Sequence, residues 1–316
     1  MSNLRTKGIS AALSSAVFLG MAPVFGRRAI LLGAAPLTVV AIRTILAALI
    51  LLLLIAIFKR QYLFIYPAGL LGCLLAGFIN GLGSLFYYSA LGRIEAGIGQ
   101  LLNSLYPLFL ALWLFLDKQP PSRLTLFRLG LTIPAVYLLT QTGLKEIDLI
   151  GVVQMLIGAA LYALHLPINQ RVLYDMPAPT VTVYTLLAMS IVVMPILFFA
   201  PNNVISTDMN VWWPMLGLTF VTLFSRLTLF LGVKHIGGMQ TAILGLSEVL
   251  ITLIMAQVWL GEKLSAPQWL GALLLCLSLF LIGVEKTPPE KASPGGWLSW
   301  LSHPTISSEL PWNPHE

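Results

Sequence analysis

Few residues of this chain are of a type that could do chemistry, and the most distinctive of them is Glu248. It lies near the middle of residues 236–260, an apolar run long enough to cross the roughly 30 Å core of a bilayer. A carboxyl group at that depth is costly unless it faces protein, water or a partner. Two interpretations stay open: Glu248 accepts a proton, a cation or an amine of a solute, or it is a structural carboxyl bonded to a neighbouring helix.

Uncharged polar residues accompany this carboxyl at helical spacing. Positions 241, 244 and 248 fall on one helical face, and Tyr88 and Gln100 belong to a dense polar cluster in the first half of the chain. Such a lining suits a small amphipathic solute, although the same groups could instead hydrogen-bond between helices. The predicted solute-binding residues are Glu248, Asn80, Ser84, Tyr87, Asn103, Tyr106, Tyr162, His165, Gln240 and Thr241.

A second set of residues is predicted to be structural or to gate the entrance. It comprises Arg43, Arg226, Pro23, Pro167 and Glu262. We expect both arginines to reach an interface by snorkelling, with Arg226 near the cytoplasmic entrance; the alternative is a salt bridge or an anion contact. His165 either packs against its neighbours or senses pH.

Composition defines the class of protein. Of the 316 residues, 58% are hydrophobic and 9% are charged, whereas soluble domains carry about 25% charged residues. The mean hydropathy is +0.89, so the sequence predicts an all-α integral membrane protein. The net charge of +6 comes from residues scattered between apolar runs, which argues against nucleic acid as a partner. Cys73 and Cys276 both lie in apolar runs, so neither a disulfide nor a metal site is expected.

Ten apolar runs are predicted to span the membrane. They cover residues 8–26, 36–58, 66–91, 94–116, 124–140, 149–170, 179–200, 211–231, 236–260 and 267–284. Lysines and arginines are more numerous in the loops on the side of the N-terminus, so both termini are predicted to be cytoplasmic. Residues 1–7 are then the cytoplasmic N-terminus, and residues 286–316 are predicted to be a disordered cytoplasmic tail.

The two halves of the chain repeat each other. Tyr106 matches Glu248 at an offset of 142 residues, and Gly8 matches Gly151 at an offset of 143. Each unit, residues 8–142 and 143–285, holds five predicted spans. Because five is odd, the second unit must enter the membrane from the opposite side. The sequence therefore predicts two inverted five-helix repeats with a substrate site between them near the midplane.

These motifs resemble the EamA-type branch of the drug/metabolite transporter superfamily. The resemblance is carried by Arg43 in the second span, by Leu-Gly-Glu-Lys-Leu-Ser at 260–265 and by Gln-Trp-Leu-Gly at 268–271. It implies a ten-helix exporter or exchanger that works by alternating access, with a cavity lined by helices one, three and four of each half. It also implies that Arg43 is structural and pairs with loop carbonyls. The chain departs from the family at 117–120, Asp-Lys-Gln-Pro, where Gly-Glu is common.

The function predicted from these observations is secondary active transport of small metabolites, either amino acids or amphipathic compounds. No nucleophile with a base, no paired aspartates and no phosphate-binding loop occur in the sequence, which argues against an enzyme and against the use of ATP or a cofactor. The expected partners are a small-molecule substrate, membrane lipid and a proton as candidate coupling ion, and the expected location is the plasma (inner) membrane. A lipid flippase or scramblase on the same scaffold is the principal alternative; a channel and a structural subunit are others.

Overall fold

All regular structure in the described part of the chain is helical. The computed structural model describes residues 2–118, 123–140, 148–199, 209–261 and 265–280. Within these ranges, eight helical segments are long and apolar enough to cross a membrane. The prediction of an all-α, multi-pass membrane protein is therefore confirmed. Glu262 and the predicted tail at 286–316 lie outside the described residues.

The helices follow one another with short connections. The first half contains α1 (Ser2–Leu31), α2 (Pro36–Phe58), a 3-10 turn (Arg60–Leu63), α3 (Pro67–Arg93), α4 (Ala96–Asn103), α5 (Tyr106–Leu116) and α6 (Arg123–Thr140). The second half contains α7 (Leu149–Leu173), α8 (Ala178–Phe199), α9 (Met209–Ile236), α10 (Gly238–Gly245), α11 (Ser247–Met255), a π-helical turn (Ala256–Leu260) and α12 (Ala266–Phe280). Helices α6 and α12 are not among the eight candidate spans, so the prediction of ten crossings stays a prediction.

Two predicted spans are broken in the middle. Residues 94–116 form α4 and α5, and residues 236–260 form α10, α11 and the π-helical turn. Pro107 lies in the first turn of α5, where its missing N–H interrupts no helical hydrogen bond. The breaks place Tyr106 at the start of α5 and Glu248 in the first turn of α11. The two residues matched by the internal repeat therefore both lie in the first turn of the second part of a broken span.

Two helices extend beyond their predicted limits. Helix α1 begins at Ser2, so residues expected to be a short polar start are already helical. Helix α9 continues to Ile236, so Lys234 lies in a helix instead of the predicted loop. As a consequence, Arg226 lies well inside α9 and not near its end.

Helices of the two halves pack against each other in equivalent pairs. Helix α1 packs against α9 and α3 packs against α7, while α2 packs against α8 and α6 against α12. A Cβ at Gly8 would lie 2.7 Å from Ile236 Cγ2, and a Cβ at Gly151 would lie 2.8 Å from Ile94 Cγ2. The repeat matches Gly8 to Gly151 and, at the offset of 142 residues, Ile94 to Ile236. The two contacts are therefore equivalent. The absence of a side chain at each glycine allows the close approach of the helices.

The Gly-x-x-x-Gly pattern at positions 77 and 81 also serves helix packing, as its sequence indicates. A Cβ at Gly77 would lie 2.6 Å from the carbonyl oxygen of Thr185, and a Cβ at Gly81 would lie 2.9 Å from Val192 Cβ. Both neighbours belong to α8. These glycines therefore allow close packing of α3 against α8.

Candidate functional site

A cavity of about 70 Å³ lies among seven helices, α1, α2, α3, α4, α7, α9 and α11. It reaches residues in the interior of α3, α7 and α9 and at the breaks that follow α4 and precede α11. Both halves of the chain contribute to its wall. The lining residues are Leu19, Ala22, Arg43, Asn80, Gly83, Ser84, Tyr87, Tyr88, Gln100, Asn103, Gly158, Tyr162, Arg226 and Glu248.

Glu248 is the carboxyl group of this cavity and is only 2% exposed. It lies in the first turn of α11, where the positive end of the helix dipole favours a negative charge. Gln100 also lines the cavity, and its Oε1 accepts a 3.0 Å hydrogen bond from the Tyr87 hydroxyl. Among the residues that the structure describes, none bonds to Glu248 Oε1. One carboxyl oxygen thus remains available to a ligand or a proton.

Arg226 is the first of two buried cations at the cavity and is 5% exposed. Its terminal nitrogens lie 3.0 and 3.1 Å from the side-chain oxygen of Asn80 when that amide is oriented to accept from them. Nη1 is also 3.3 Å from His165 Nε2, and the guanidinium lies 5.5 Å from the centre of the Tyr162 ring. Uncharged groups therefore hold this arginine in place.

His165 positions Arg226 and does not line the cavity. Its Nδ1 contacts the carbonyl oxygen of Tyr162, which can only accept, so Nδ1 carries the proton. Nε2 is then the acceptor for Arg226 Nη1. The histidine has no exposed surface. Of the two interpretations of His165, this geometry favours packing and positioning over pH sensing.

Arg43 is the second buried cation and is 6% exposed. Nη1 donates a 2.9 Å hydrogen bond to the Thr222 hydroxyl, and the guanidinium lies 4.6 Å from the centre of the Tyr88 ring. The prediction that Arg43 and Arg226 snorkel to an interface is wrong, because both are held inside the protein by partners on other helices. Arg43 Nη1 bonds to a threonine side chain of α9, whereas the family resemblance implied pairing with loop carbonyls.

The structure brings together six of the ten predicted solute-binding residues. The six that line the cavity are Glu248, Asn80, Ser84, Tyr87, Asn103 and Tyr162. Tyr106, Gln240 and Thr241 lie outside its wall, as does His165. The Tyr106 hydroxyl donates a 2.8 Å hydrogen bond to the carbonyl of Ala242, and the Thr241 hydroxyl donates a 2.8 Å hydrogen bond to the carbonyl of Gly237.

The two predicted gating prolines lie inside helices that continue past them. Pro23 is within α1 and Pro167 within α7, and both side chains are buried. Neither lines the cavity. Their predicted role in gating stays a prediction.

Two glycines of the wall, Gly83 and Gly158, were not predicted. A Cβ at Gly158 would lie 3.1 Å from the carbonyl oxygen of Gly83, so α3 and α7 touch there without side chains. The repeat matches these glycines to Ser225 and Ser15, and the Ser15 hydroxyl donates a 3.0 Å hydrogen bond to the carbonyl of Ser225. The internal offset could therefore have identified Gly83 and Gly158 as a helix crossing, although not as part of a cavity.

Comparison with known proteins gives three findings. The model of the EamA-like transporter family matches the chain twice, over residues 6–141 and 149–284. A protein of Synechocystis sp. described as an uncharacterized transporter is 27% identical over 234 residues, which cover 70% of this chain and 68% of that protein. A crystal structure of another protein, 15% identical in sequence, superposes with a TM-score of 0.68 over 88% of this chain and 97% of that protein's chain. This likeness concerns the fold alone.

Proposed function

Because the chain belongs to the EamA-like transporter family, we propose that it is a secondary active transporter that exports or exchanges small metabolites. Members of the family are transporters and not enzymes, so the chain has a small-molecule substrate and works in a lipid membrane. Amino acids and amphipathic compounds are the proposed solutes. Transport uses neither ATP nor a cofactor, and nucleic acid is not a partner.

The observation that carries this proposal is Glu248. A buried carboxyl with one unpartnered oxygen, at a cavity between helices of both halves, is costly for a protein that only needs to fold. Intramembrane carboxyls of this kind mark substrate or ion pathways in transporters. Glu248 is proposed to contact the solute or to carry the coupling proton.

Alternating access is the proposed mechanism. It requires two inverted five-helix repeats, ten crossings in all, with α6 and α12 completing the two units. The two successive family matches and the equivalent contacts Gly8 with Ile236 and Gly151 with Ile94 support this arrangement. Rocking of one repeat against the other would expose the cavity to each side in turn. The proposed location is the plasma (inner) membrane, with both termini in the cytoplasm.

The test is solute exchange in proteoliposomes. The purified chain is reconstituted with a panel of unlabelled solutes inside, and uptake of the labelled counterpart is followed with and without a pH gradient. Saturable counter-exchange supports a transporter. Glu248→Gln should abolish exchange or make it independent of the pH gradient. The control is Glu95→Gln, which replaces a carboxyl outside the cavity wall and should change neither the rate of exchange nor its dependence on the pH gradient. Transfer of labelled lipid without any solute exchange would favour a flippase or scramblase instead.

A further inference from the structure

The cavity carries more positive than negative charge. Arg43 and Arg226 both line it, whereas Glu248 is its only carboxyl among the residues that the structure describes. In the same part of the chain, ion pairs join Arg93 to Asp148 and Arg171 to Asp117, but no carboxylate lies within 4.0 Å of the guanidinium of Arg43 or Arg226. A buried cation without a counter-charge is unfavourable. A negatively charged ligand would relieve this imbalance.

The hydrogen-bonding groups of the wall point to the same kind of ligand. Four buried polar atoms of residues that line the cavity have no hydrogen-bond partner among the described residues: Arg43 Nε, the Tyr88 hydroxyl, the Tyr162 hydroxyl and Glu248 Oε1. Arg43 Nε can only donate, and each tyrosine hydroxyl can donate a hydrogen bond. Donors are therefore in the majority, so a ligand that completes the wall must be rich in acceptor atoms.

The two guanidinium groups are already fixed in position. Arg43 is held by Thr222 and by the Tyr88 ring, and Arg226 by Asn80 and His165. All of these holding groups are uncharged, so they orient the cations without neutralising them. A fixed guanidinium loses little conformational entropy when it binds a planar anion, which makes arginine well suited to recognising carboxylate or phosphate.

We propose that Arg43 and Arg226 together bind one compact anionic group, such as a carboxylate, in this cavity. The inference rests on the proposed transport function, because it treats that group as part of the transported solute. A cavity of about 70 Å³ has room for about two water molecules at their liquid volume of about 30 Å³ each, which suits the compact charged end of a small acid or a small amino acid. In an amino acid, the ammonium group would take the free acceptor of Glu248.

Lipid phosphate is the other source of a compact anion at a cavity within a membrane. The binding experiment therefore needs one arm for each source. The full-length protein is purified in nanodiscs of neutral lipid, and its melting temperature is measured with propionate, with propionamide and with phosphoethanolamine. Propionate and propionamide have nearly the same size and differ in charge, and phosphoethanolamine is the soluble headgroup of a phospholipid.

Propionate should raise the melting temperature, whereas propionamide should not. Arg43→Gln and Arg226→Gln should each weaken propionate binding by about tenfold or more, since each removes charged hydrogen bonds to the anion. The control is Arg93→Gln, an exposed arginine paired with Asp148 outside the cavity, which should bind propionate normally. If a glutamine variant does not fold, Arg226→Lys keeps the charge but loses the guanidinium geometry, and it should bind propionate more weakly than the native protein.

Equal effects of propionate and propionamide would overturn the proposal, as would an equal loss of binding in Arg93→Gln. A larger effect of phosphoethanolamine than of propionate, lost in the same two variants, supports the anion site and assigns its ligand to lipid. The result is separable from the proposed transport function. Exchange of cationic or neutral solutes without any propionate binding leaves the transporter and removes the anion site. Propionate binding without exchange of any solute would support the anion site and contradict the proposed transport function.

Discussion

Asp117 Oδ2 lies 2.7 Å from Arg171 Nη2, and both side chains are buried. Asp117 directly follows α5 and Arg171 lies in the last turn of α7, so the ion pair joins the ends of two helices. The neighbouring Gln170 accepts a 2.9 Å hydrogen bond from the N–H of Gly238, the first residue of α10. Helix α7, which contributes to the cavity wall, is thereby connected at its last turn to the end of α5 and the start of α10.

We expect Asp117→Asn to destabilise the protein strongly. Removing one partner of a buried ion pair leaves an uncompensated charge and typically costs about 3 to 5 kcal/mol. The variant should therefore show a clearly lower melting temperature in detergent. The double variant Asp117→Asn with Arg171→Met should recover part of the loss, because it removes the stranded charge as well. Losses that simply add would mean that the two residues do not stabilise each other.

Gly158→Val is expected to disrupt the close crossing between α3 and α7. Even a Cβ at position 158 would lie 3.1 Å from Gly83 O and 3.2 Å from Tyr87 N, so a valine must push the helices apart. Overpacking of this kind costs about 1 to 3 kcal/mol, and the displaced wall should abolish solute exchange. The matched control is Gly130→Val in α6, where a Cβ meets nothing within 4 Å. If both variants exchange solute at the native rate, the crossing does not shape a working cavity.

Acid should weaken the start of α7. Asp148 caps this helix by accepting hydrogen bonds from the N–H groups of Ile150 and Gly151. The bond from Gly151 is the largest cause that lowers the pKa of Asp148, and the bond from Arg93 is the second largest. A lowered folded-state pKa means that the ionised form stabilises the fold above the unfolded pKa of about 3.9. This stabilisation is lost as the pH falls through the lower, folded-state pKa.

Asp148→Ala should therefore melt at a lower temperature than the native protein at pH 7, with a difference that shrinks below about pH 4. Asp148→Asn keeps a capping oxygen without the charge, so it should retain part of the stability and lose this pH dependence. Thermal unfolding of the three proteins between neutral and acidic pH measures both effects. A difference that stays constant across this range would show that the charge of Asp148 contributes nothing.

Much of the fold could be predicted because a bilayer imposes simple requirements on sequence. Long apolar runs must be helical, and eight of them correspond to helices that can cross a membrane. Polar residues spaced at a helical period identified six members of the cavity wall, since within hydrocarbon such residues face protein or water. The offset of 142 residues also matched Tyr106 to Glu248, and both lie in the first turn of the second part of a broken span, although the breaks themselves were not predicted.

The errors concern contacts between residues far apart in the sequence. Snorkelling of Arg43 was a reasonable expectation for an isolated helix, but Thr222 and Tyr88 hold it inside. The helix breaks were missed because the residues at 104–105 and 246 keep nearly helical backbone angles. Gly83 has no side chain, so no polar or apolar pattern marks it as part of a cavity.

The contact between His165 and Arg226 gives the last prediction. His165 does not line the cavity, so any effect of its replacement on solute binding must act through the wall residues it contacts, Arg226 and Tyr162. His165→Leu removes the acceptor for Nη1 and leaves a buried guanidinium with one partner fewer. We expect this variant to bind solute several-fold more weakly, since a charged hydrogen bond contributes about 1.5 to 3 kcal/mol and the Asn80 contacts remain to limit the loss.

His165→Gln is the matched variant, because its side-chain oxygen can still accept from Arg226. It should bind solute nearly as well as the native protein, and the dependence of exchange on pH should be unchanged in it. Binding isotherms and pH profiles of exchange for the two variants separate positioning from titration. A changed pH profile in His165→Gln with unaltered affinity would contradict the positioning role and show that the imidazole itself takes up a proton during transport.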